Sequence, residues 1–401
     1  MLQAVLAAVA DYSTYSLGKK LMGDAIAPYM LFTLLSSWYL FFMAGRTLSN
    51  TMETVLTITA LNDWPLSLAS PNWKKGYTKA LVWASLACVM RPTNALLWVF
   101  LGGHLLYRAK GHRWTVAMLA SLITGTVMAS NVAVDTRIYT GAWGLSSAVL
   151  TPVNFIRVNV LQSISVIYGV HPWHWYLSQG IPVVLTTYLP FAIFGYQKSR
   201  HNAETRHIGH LVLYVIGVYS LLSHKEFRFI FPIVPLLLIF AAKGLKETPP
   251  RWKRMACVVL LCTQVPMAIY LSLAHQRGVM DAMLWVREQQ PASVGVLMPC
   301  HSTPWQSVVH APDMDMWFLT CEPPLRDDEL DEADLFYTDP AGFLREMDRP
   351  WPTALLMFDN LLPSIQSLLD AQGYREDARF FNTHFHDDWR RRGDVLVLCR
   401  E

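Results

Sequence analysis

Residues 208–243 read IGHLVLYVIGVYSLLSHKEFRFIFPIVPLLLIFAAK. Two apolar runs, 208–222 and 229–243, flank a polar segment, 223–229, in which four ionisable residues fall within five positions. Apolar runs of this kind are typical of membrane helices, and ionisable groups at a membrane boundary are costly. This stretch therefore predicts a membrane protein with a functional segment between two of its spans.

Similar apolar runs occur on both sides of this stretch. Of the 401 residues, 53% are hydrophobic and 16% are charged, whereas about 25% are charged in a typical soluble domain. The candidate spans are 1–18, 28–45, 48–68, 80–107, 114–134, 181–197, 208–222, 229–243 and 255–274. We therefore predict a polytopic α-helical membrane protein.

One candidate span, 80–107, carries Arg91 and Pro92 near its middle. An arginine inside the bilayer is unfavourable, and proline interrupts the hydrogen bonds of a helix. We expect two half-helices that meet at a polar break rather than one long helix.

Charge divides the chain into two parts. Residues 1–274 contain 22 Lys+Arg and 8 Asp+Glu, a net charge of +14, whereas residues 275–401 contain 11 Arg and 22 Asp+Glu, a net charge of −11. The second part also contains β-type runs at 294–298, 354–358 and 394–398. We predict a multi-pass membrane domain over 1–274 and a small soluble α/β domain over 275–401.

The orientation follows from the loops that are rich in lysine and arginine, since such short loops stay on the cytoplasmic side. These loops are 74–79, 108–113, 198–206 and 243–254. They share one side if residues 80–107 enter the membrane and return. The segments predicted on the opposite, luminal side are 46–53, 135–180, 223–228 and the C-terminal domain.

The polar segment SHKEFRF, 223–229, is the first candidate site. His224, Lys225 and Arg228 could present positive charge to a lipid-linked phosphate, while Glu226 orients one of them or bonds sugar hydroxyls. Alternatively, these side chains form a charged loop whose heads reach out to water.

Two further segments are candidates on the same side. HPWHWY, 171–176, contains His171, Trp173, His174 and Tyr176, which suit a sugar or lipid cavity, although aromatic residues also gather at membrane interfaces. Arg46, Asn50 and Glu53 are spaced four and three apart, so we expect them on one helical face. They either line a cavity or pair with one another.

The six cysteines do not form a disulfide framework in a chain of this length. A Cys300–Cys321 bridge is possible if the C-terminal domain lies in an oxidising compartment, and the sequence leaves this open. The chain has no P-loop, HExxH or CxxC motif, and its basic residues flank membrane spans. We therefore expect no metal, no cofactor and no nucleic-acid partner.

Several motifs together resemble one known family. HKEFRF, 224–229, is similar to the HKEERF-type signature of the family 22 glycosyltransferases, which are endoplasmic-reticulum mannosyltransferases of the GT-C type. The resemblance narrows to members that act on the glycosylphosphatidylinositol (GPI) precursor. It covers about Leu6 to the C-terminus, and the further strings that carry it are 46–57, 171–176, 275–278, 298–304 and 331–334.

The resemblance implies transfer of the third mannose, in α1,2 linkage, from dolichyl-phosphate mannose to the GPI precursor on the luminal face. It implies no metal. His224, Lys225, Glu226 and Arg228 would contact the donor phosphate. The sugar or lipid cavity would be formed by His171, Trp173, His174, Tyr176, Arg46, Asn50 and Glu53.

The resemblance also raises an expectation about the start of the chain. Members of the family carry the catalytic acid in a first luminal loop, which we expect upstream of Met1, so that the sequence looks like an N-terminally truncated member. Alternative interpretations are an inactive relative, a non-enzymatic lipid carrier or scramblase, and a structural subunit of a glycosylation complex.

Overall fold

The computed structural model describes residues 2–162, 169–321 and 330–400. The chain forms two compact units, Met1–Ala268 and Ile269–Glu401. In the described ranges the first unit is helical, and the second contains a β-sheet. Residues 163–168 of the predicted luminal segment 135–180 lie outside the described residues.

The α-helices of the first unit are short in several places because proline, glycine or polar residues interrupt them. Their bounds are α1 Leu2–Met22, α2 Ala27–Ser36, α3 Trp38–Ala44, α4 Ser49–Asp63, α5 Trp73–Met90, α6 Ala95–Arg108, α7 Arg113–Thr140, α8 Thr151–Ile156, α9 Ile181–Leu185, α10 Leu189–Ser199, α11 Ala203–Leu221, α12 Val234–Glu247 and α13 Pro250–Leu273. Helix α13 continues into the second unit.

The membrane class predicted from the sequence is confirmed. Among the described residues, 4 helical segments are long and apolar enough to cross a membrane: Lys110–Thr140, Tyr176–Ser199, Phe227–Glu247 and Pro250–Gln289. A further candidate, predicted as the single span 28–45, is a pair of helices bent by 59° between Ser36 and Trp38. The other predicted spans form shorter or more polar helices, such as the 15-residue α4.

The predicted break at Arg91 and Pro92 is also confirmed. Helix α5 ends at Met90, Pro92–Asn94 form a single 3₁₀ turn, and α6 begins at Ala95. The ring of Trp73, at the start of α5, lies 5.4 Å from the ring of His112, just beyond the end of α6. The two helices therefore form a hairpin whose outer ends share one side.

Helices α10 and α12 approach each other closely through two glycines. A Cβ atom on Gly195 would overlap the carbonyl oxygen of Phe240, and one on Gly244 would overlap that of Phe191. Small residues at a helix crossing allow backbones to pack more tightly than the side chains of larger residues would permit. This contact fixes the position of α12, which follows the polar segment 223–229.

The two ends of α4 have different surroundings. At its C-terminal end Lys20 donates to the carbonyl oxygen of Asn62, and Gly76, next to Lys75 of the predicted cytoplasmic loop 74–79, packs against the carbonyl oxygen of Asp63. At its N-terminal end Asn50 and Glu53 face other polar groups. The candidate functional residues therefore gather at the end of the first unit that lies opposite these lysines.

The second unit contains a mixed five-stranded sheet of order β2-β1-β3-β5-β4. Strand β1 pairs in parallel with β2 and β3, whereas β5 is antiparallel to β3 and β4. The strands are β1 Ser293–Leu297, β2 Asp315–Phe318, β3 Ala354–Phe358, β4 Arg375–Thr383 and β5 Gly393–Cys399. The helices are α14 Gly278–Gln289, α15 Gln306–Val309, α16 Glu332–Thr338, α17 Pro340–Glu346 and α18 Leu362–Ala371.

This sheet confirms the predicted α/β character of the C-terminal part. The apolar runs at 294–298, 354–358 and 394–398 form the three central strands, and every residue of β3 is buried because helices cover both faces. Cys300 and Cys321 form a disulfide bond, so the possibility left open by the sequence is realised. Their sulfurs are therefore not free to bind a metal beside His301.

Candidate functional site

Glu53 is the centre of a buried polar cluster at the start of α4. Its side chain is 1% exposed. Its Oε1 accepts a hydrogen bond from Asn94 Nδ2 at 2.9 Å, and its Oε2 accepts one from Asn50 Nδ2 at 3.2 Å. Arg91 Nε lies 3.3 Å from the same Oε2. A buried carboxylate needs such partners because an uncompensated charge in the interior is very unfavourable.

The local sequence explains how these groups meet. Asn50 and Glu53 are three residues apart on α4 and so lie on the same helical face. Arg91 and Asn94 come from the break between α5 and α6, where Arg91 has an extended backbone with φ −147° and ψ 111°. Because Pro92 prevents the helix from continuing, the break delivers a cation and an amide to the carboxylate.

The expectation that Arg46 shares this helical face is wrong. Helix α4 begins at Ser49, so Arg46 lies in the preceding turn and has no fixed place on the helix. Its guanidinium is instead 3.8 Å from the centre of the Phe42 ring. Arg91, from a different part of the chain, is the cation that pairs with Glu53.

The second cluster lies in segment 223–229 and is centred on Glu226. His224 Nε2 lies 3.0 Å from Glu226 Oε1, and Arg228 Nη2 donates to that oxygen at 2.6 Å. Arg228 Nε also contacts Glu226 Oε2. The Arg228 side chain is 43% exposed, and that of Glu226 is 28% exposed. A cation and a carboxylate are therefore accessible at one place, with the largely buried imidazole of His224 beside them.

Lys225 has a different environment from its neighbours. It is 2% exposed, and its ammonium donates hydrogen bonds to the carbonyl oxygens of His171, at 2.9 Å, and Leu222. Burial lowers the pKa of Lys225 below its ordinary value. Its charge is directed into the fold, where it joins segment 223–229 to the 171–176 segment.

The residues predicted from HPWHWY, 171–176, do not converge on one cavity. Tyr176 is fully buried, and its hydroxyl donates to the carbonyl oxygen of Glu226 at 3.2 Å. The His171 ring stacks on Trp175 with centroids 4.8 Å apart, while Trp173 is 68% exposed. His174 Nδ1 lies 3.1 Å from Ser178 Oγ. Tyr176 and His171 therefore hold segment 223–229 in place through hydrogen bonds that involve its backbone and Lys225.

The Glu53 and Glu226 clusters are neighbours. Asn50 Nδ2 donates to the carbonyl oxygen of Arg228 at 3.2 Å. The ring of Phe229 lies 5.5 Å from the Arg91 guanidinium and 5.6 Å from the ring of His224. The two clusters form a continuous polar region, which we call the Glu53–Glu226 region. It can bind an anion through exposed Arg228 and can accept hydrogen bonds from hydroxyl groups through Glu226.

Sequence reasoning missed Arg91 and Asn94 as members of this region. The signal was present, because an arginine within an apolar run needs a counter-charge inside the protein. Which acid supplies that charge depends on contacts between distant residues, and no spacing rule gives those.

An apolar cavity of about 140 Å³ lies beside α4. Its walls include Asp11 of α1, Phe41 of α3, Thr51 and Thr54 of α4, and Pro235 of α12. Asp11 is an acidic residue within the largely apolar helix α1. The lining is mainly hydrocarbon, so the cavity suits an apolar ligand chain more than a sugar.

Comparisons with known proteins agree on one family. Residues 1–310 match the profile of the Alg9-like mannosyltransferase family. The mouse protein GPI alpha-1,2-mannosyltransferase 3 is 39% identical over 406 residues, covering 98% of this chain and 72% of the mouse protein. GPI mannosyltransferase 3 from Yarrowia lipolytica is 37% identical over 421 residues, covering 99% of this chain and 80% of that protein.

A solved structure shares the fold. ArnT from Cupriavidus metallidurans, bound to undecaprenyl phosphate, superposes with a TM-score of 0.62 at 12% identity. The match covers 99% of this chain and 83% of the ArnT chain. The chain therefore has the multi-pass helical fold of ArnT, a membrane protein of the GT-C type, as the family resemblance implied.

Proposed function

This chain belongs to the Alg9-like mannosyltransferase family, and we propose that it transfers the third mannose, in α1,2 linkage, to a GPI precursor. The proposed donor is dolichyl-phosphate mannose, and the proposed location is the luminal face of the endoplasmic-reticulum membrane. The observation that carries the proposal is similarity over nearly the whole chain to proteins named for this activity.

In this reaction a bond forms between the acceptor hydroxyl oxygen and C1 of mannose, while the bond between C1 and the phosphate oxygen breaks. The hydroxyl proton passes to an acidic side chain, and dolichyl phosphate leaves with the electron pair. The leaving phosphate needs positive partners. Arg228 is positioned for this role because its side chain is exposed beside Glu226, and the largely buried His224 adds an imidazole on the other side of that carboxylate.

Other residues of the region have positioning roles in this proposal. Glu226 orients Arg228 and His224, and Lys225 holds segment 223–229 against the 171–176 segment. The apolar cavity beside α4 suits part of a polyprenyl chain. We propose no resident metal, since guanidinium and imidazole groups supply the positive charge. The interpretations as a lipid carrier, a scramblase or an inactive relative gain no support from relatives named as mannosyltransferases.

The test is transfer by microsomes from cells that lack their own third GPI mannosyltransferase and express the full coding region that includes this chain. We expect labelled mannose to pass from dolichyl-phosphate mannose to the GPI precursor, and EDTA to leave the rate unchanged. Arg228→Ala should reduce transfer roughly 10- to 100-fold, because a hydrogen bond to a charged group contributes about 1.5–3 kcal/mol.

Arg206→Ala is the matched control, since Arg206 is an exposed arginine in a predicted cytoplasmic loop. It should transfer at the parent rate. Lys225→Ala should lower the amount of folded protein, whereas Arg228→Ala should not. Equal transfer by Arg228→Ala and the parent would refute the phosphate role, and absence of transfer by the well-folded parent would refute the proposed function.

A further inference from the structure

A polar cavity lies at the other end of the first unit, away from the Glu53–Glu226 region. Its volume is about 240 Å³. The loop 64–69 forms one wall, and the side chains of α6 and α11 form the others. We call it the α6–α11 cavity. The proposed transfer reaction makes no use of it.

Four ionisable side chains converge on this cavity from two helices. His104 and Arg108 are four residues apart near the end of α6, so they share one face of that helix. Glu204 and His207 are three residues apart at the start of α11 and also share a face. Each helix therefore contributes one histidine and one charged group to the same space.

The histidines are held in an aromatic column. The rings of His104 and His207 stack with centroids 3.7 Å apart, and Phe100 stacks on His207 at 5.1 Å and on Tyr214 at 5.0 Å. Stacking fixes the direction of the His207 ring. Because the two imidazoles are so close, their simultaneous protonation is unfavourable unless an anion lies beside them.

His207 Nε2 is buried and has no hydrogen-bond partner among the described residues. An unsatisfied buried polar group costs about 1–3 kcal/mol, so such groups are rare in folded proteins. His207 lines the cavity, so its imidazole lies next to the space that a ligand would fill. The aromatic column therefore contains an imidazole, that of His207, whose Nε2 has no hydrogen-bond partner among the described residues. Arg108 and Glu204 line the same cavity.

We propose that the α6–α11 cavity binds a phosphate ester that carries hydroxyl groups. Arg108 and His207 contact the phosphate, and Glu204 accepts hydrogen bonds from the hydroxyls. The guanidinium fork matches two phosphate oxygens, whereas a carboxylate in the same cavity disfavours a simple anion and favours a ligand with donors.

The position of the cavity favours the headgroup of a membrane lipid as the ligand that supplies the phosphate and the hydroxyl groups. Tyr107, next to Arg108, is 76% exposed, and Lys110 and Arg113 follow in the turn before α7 and at the first residue of α7. Basic residues at a membrane edge attract anionic lipids. A phosphoinositol headgroup has both the phosphate and the hydroxyls that the cavity matches.

The experiment uses the full chain in nanodiscs of phosphatidylcholine with or without phosphatidylinositol, and native mass spectrometry counts the retained lipids. We expect the parent to prefer phosphatidylinositol by about tenfold, equivalent to about 1.4 kcal/mol. Arg108→Ala and His207→Phe should abolish this preference. His207→Phe preserves the stacked column, so its loss of binding is not attributable to unfolding.

Arg206→Ala and His210→Ala are the matched controls, because both residues are exposed and neither lines the cavity. Both should retain the parent's preference. Free inositol phosphate and inorganic phosphate are then added as competitors. If inositol phosphate displaces the lipid and inorganic phosphate does not, the cavity recognises the headgroup. If neither competitor displaces the lipid, the cavity recognises the intact lipid at the membrane.

Glu204→Gln tests the second half of the proposal. It should reduce the preference of the cavity for inositol phosphate over inorganic phosphate, since it removes the charged acceptor for the hydroxyls. The proposal is overturned if the parent retains both lipids equally and neither soluble phosphate changes its thermal stability. It is also overturned if His207→Phe and Arg108→Ala bind like the controls.

Discussion

Glu53 and Arg91 form an ion pair, and we expect the removal of one partner to cost more stability than the removal of both. The carboxylate is almost fully enclosed, and the guanidinium side chain is 18% exposed. Replacing a buried pair as a whole often changes stability little, whereas removing one member leaves an uncompensated charge. Substitution of either residue alone should therefore destabilise the helical unit, whether or not that residue contacts a substrate.

We expect Arg91→Met to destabilise the chain by about 3–5 kcal/mol because it leaves Glu53 without its cation. The double variant Glu53→Gln/Arg91→Met should be more stable than Arg91→Met alone. Thermal unfolding in detergent measures both. Arg277→Ala, which breaks a more exposed pair with Asp281, is the control and should cost less than about 1 kcal/mol. Additive single effects would contradict coupling between Glu53 and Arg91.

Glu332 in the C-terminal unit predicts a dependence of stability on pH. Burial acts to raise its pKa, but hydrogen bonds from Thr320 and the ion pair with Arg349 outweigh it and hold the pKa below the ordinary value of 4.5. The unfolded chain therefore binds the proton more readily. The stabilisation is complete above pH 4.5 and is lost as the pH falls through the pKa of the folded state.

We expect Glu332→Gln to lower the unfolding temperature at pH 7 and to lose this disadvantage gradually below about pH 4.5. Unfolding temperatures of the full chain from pH 7 to pH 3 provide the measurement. Glu346→Gln, which changes an exposed carboxyl on α17, should follow the parent at every pH. A constant difference between Glu332→Gln and the parent would exclude the proposed linkage.

At the scale of elements, the sequence predicted helices best where a single local rule decides them. Pro92 ends α5 whatever the tertiary contacts, so the hairpin of α5 and α6 could be predicted. The start of α4 could not, because residues 46–57 are polar enough to begin a helix at several positions. For this reason the prediction that Arg46 lies on α4 is wrong. Strands β2 and β4 were missed because their residues are mostly exposed or half-buried and lack a continuous apolar run.

The contact between α10 and α12 gives the prediction at this scale. Gly195→Ala should force the helices apart, since the added methyl group would overlap the backbone of Phe240. We expect a loss of folded protein, measured by size-exclusion chromatography and thermal unfolding. Gly217→Ala on α11 is the control because its added Cβ would meet no atom within 4 Å beyond the neighbouring backbone of its own helix. Equal yields of the two variants would contradict close packing at Gly195.

For the whole molecule, the distribution of basic loops predicts the orientation in the membrane. We expect a glycosylation sequon appended after Glu401 to be modified, because the C-terminal domain is predicted to be luminal. A sequon inserted between Lys110 and Gly111 should remain unmodified. Mobility shifts on gels, with and without glycosidase, provide the readout. Modification of the second sequon and not the first would reverse the predicted topology.

At the same scale, the sequence indicated the position of the candidate site but not its internal arrangement. Segment 223–229 could be selected because ionisable residues between apolar runs are unusual. That Lys225 points into the fold while Arg228 faces outward could not be predicted, since both are cations in one short loop. The difference arises from the carbonyl oxygens of Leu222 and of His171, which lies 54 residues earlier in the chain.

The broken hairpin also has a consequence for the order of biosynthesis. A hydrophobic hairpin that carries an arginine at its tip enters the bilayer poorly by itself. Ribosomes deliver Glu53 before Arg91, so the acid is available on α4 when the hairpin emerges. Insertion of α5 and α6 then becomes a pairing step with an earlier helix, and a chain that lacks Glu53 should stall at this step and be degraded before it can fold.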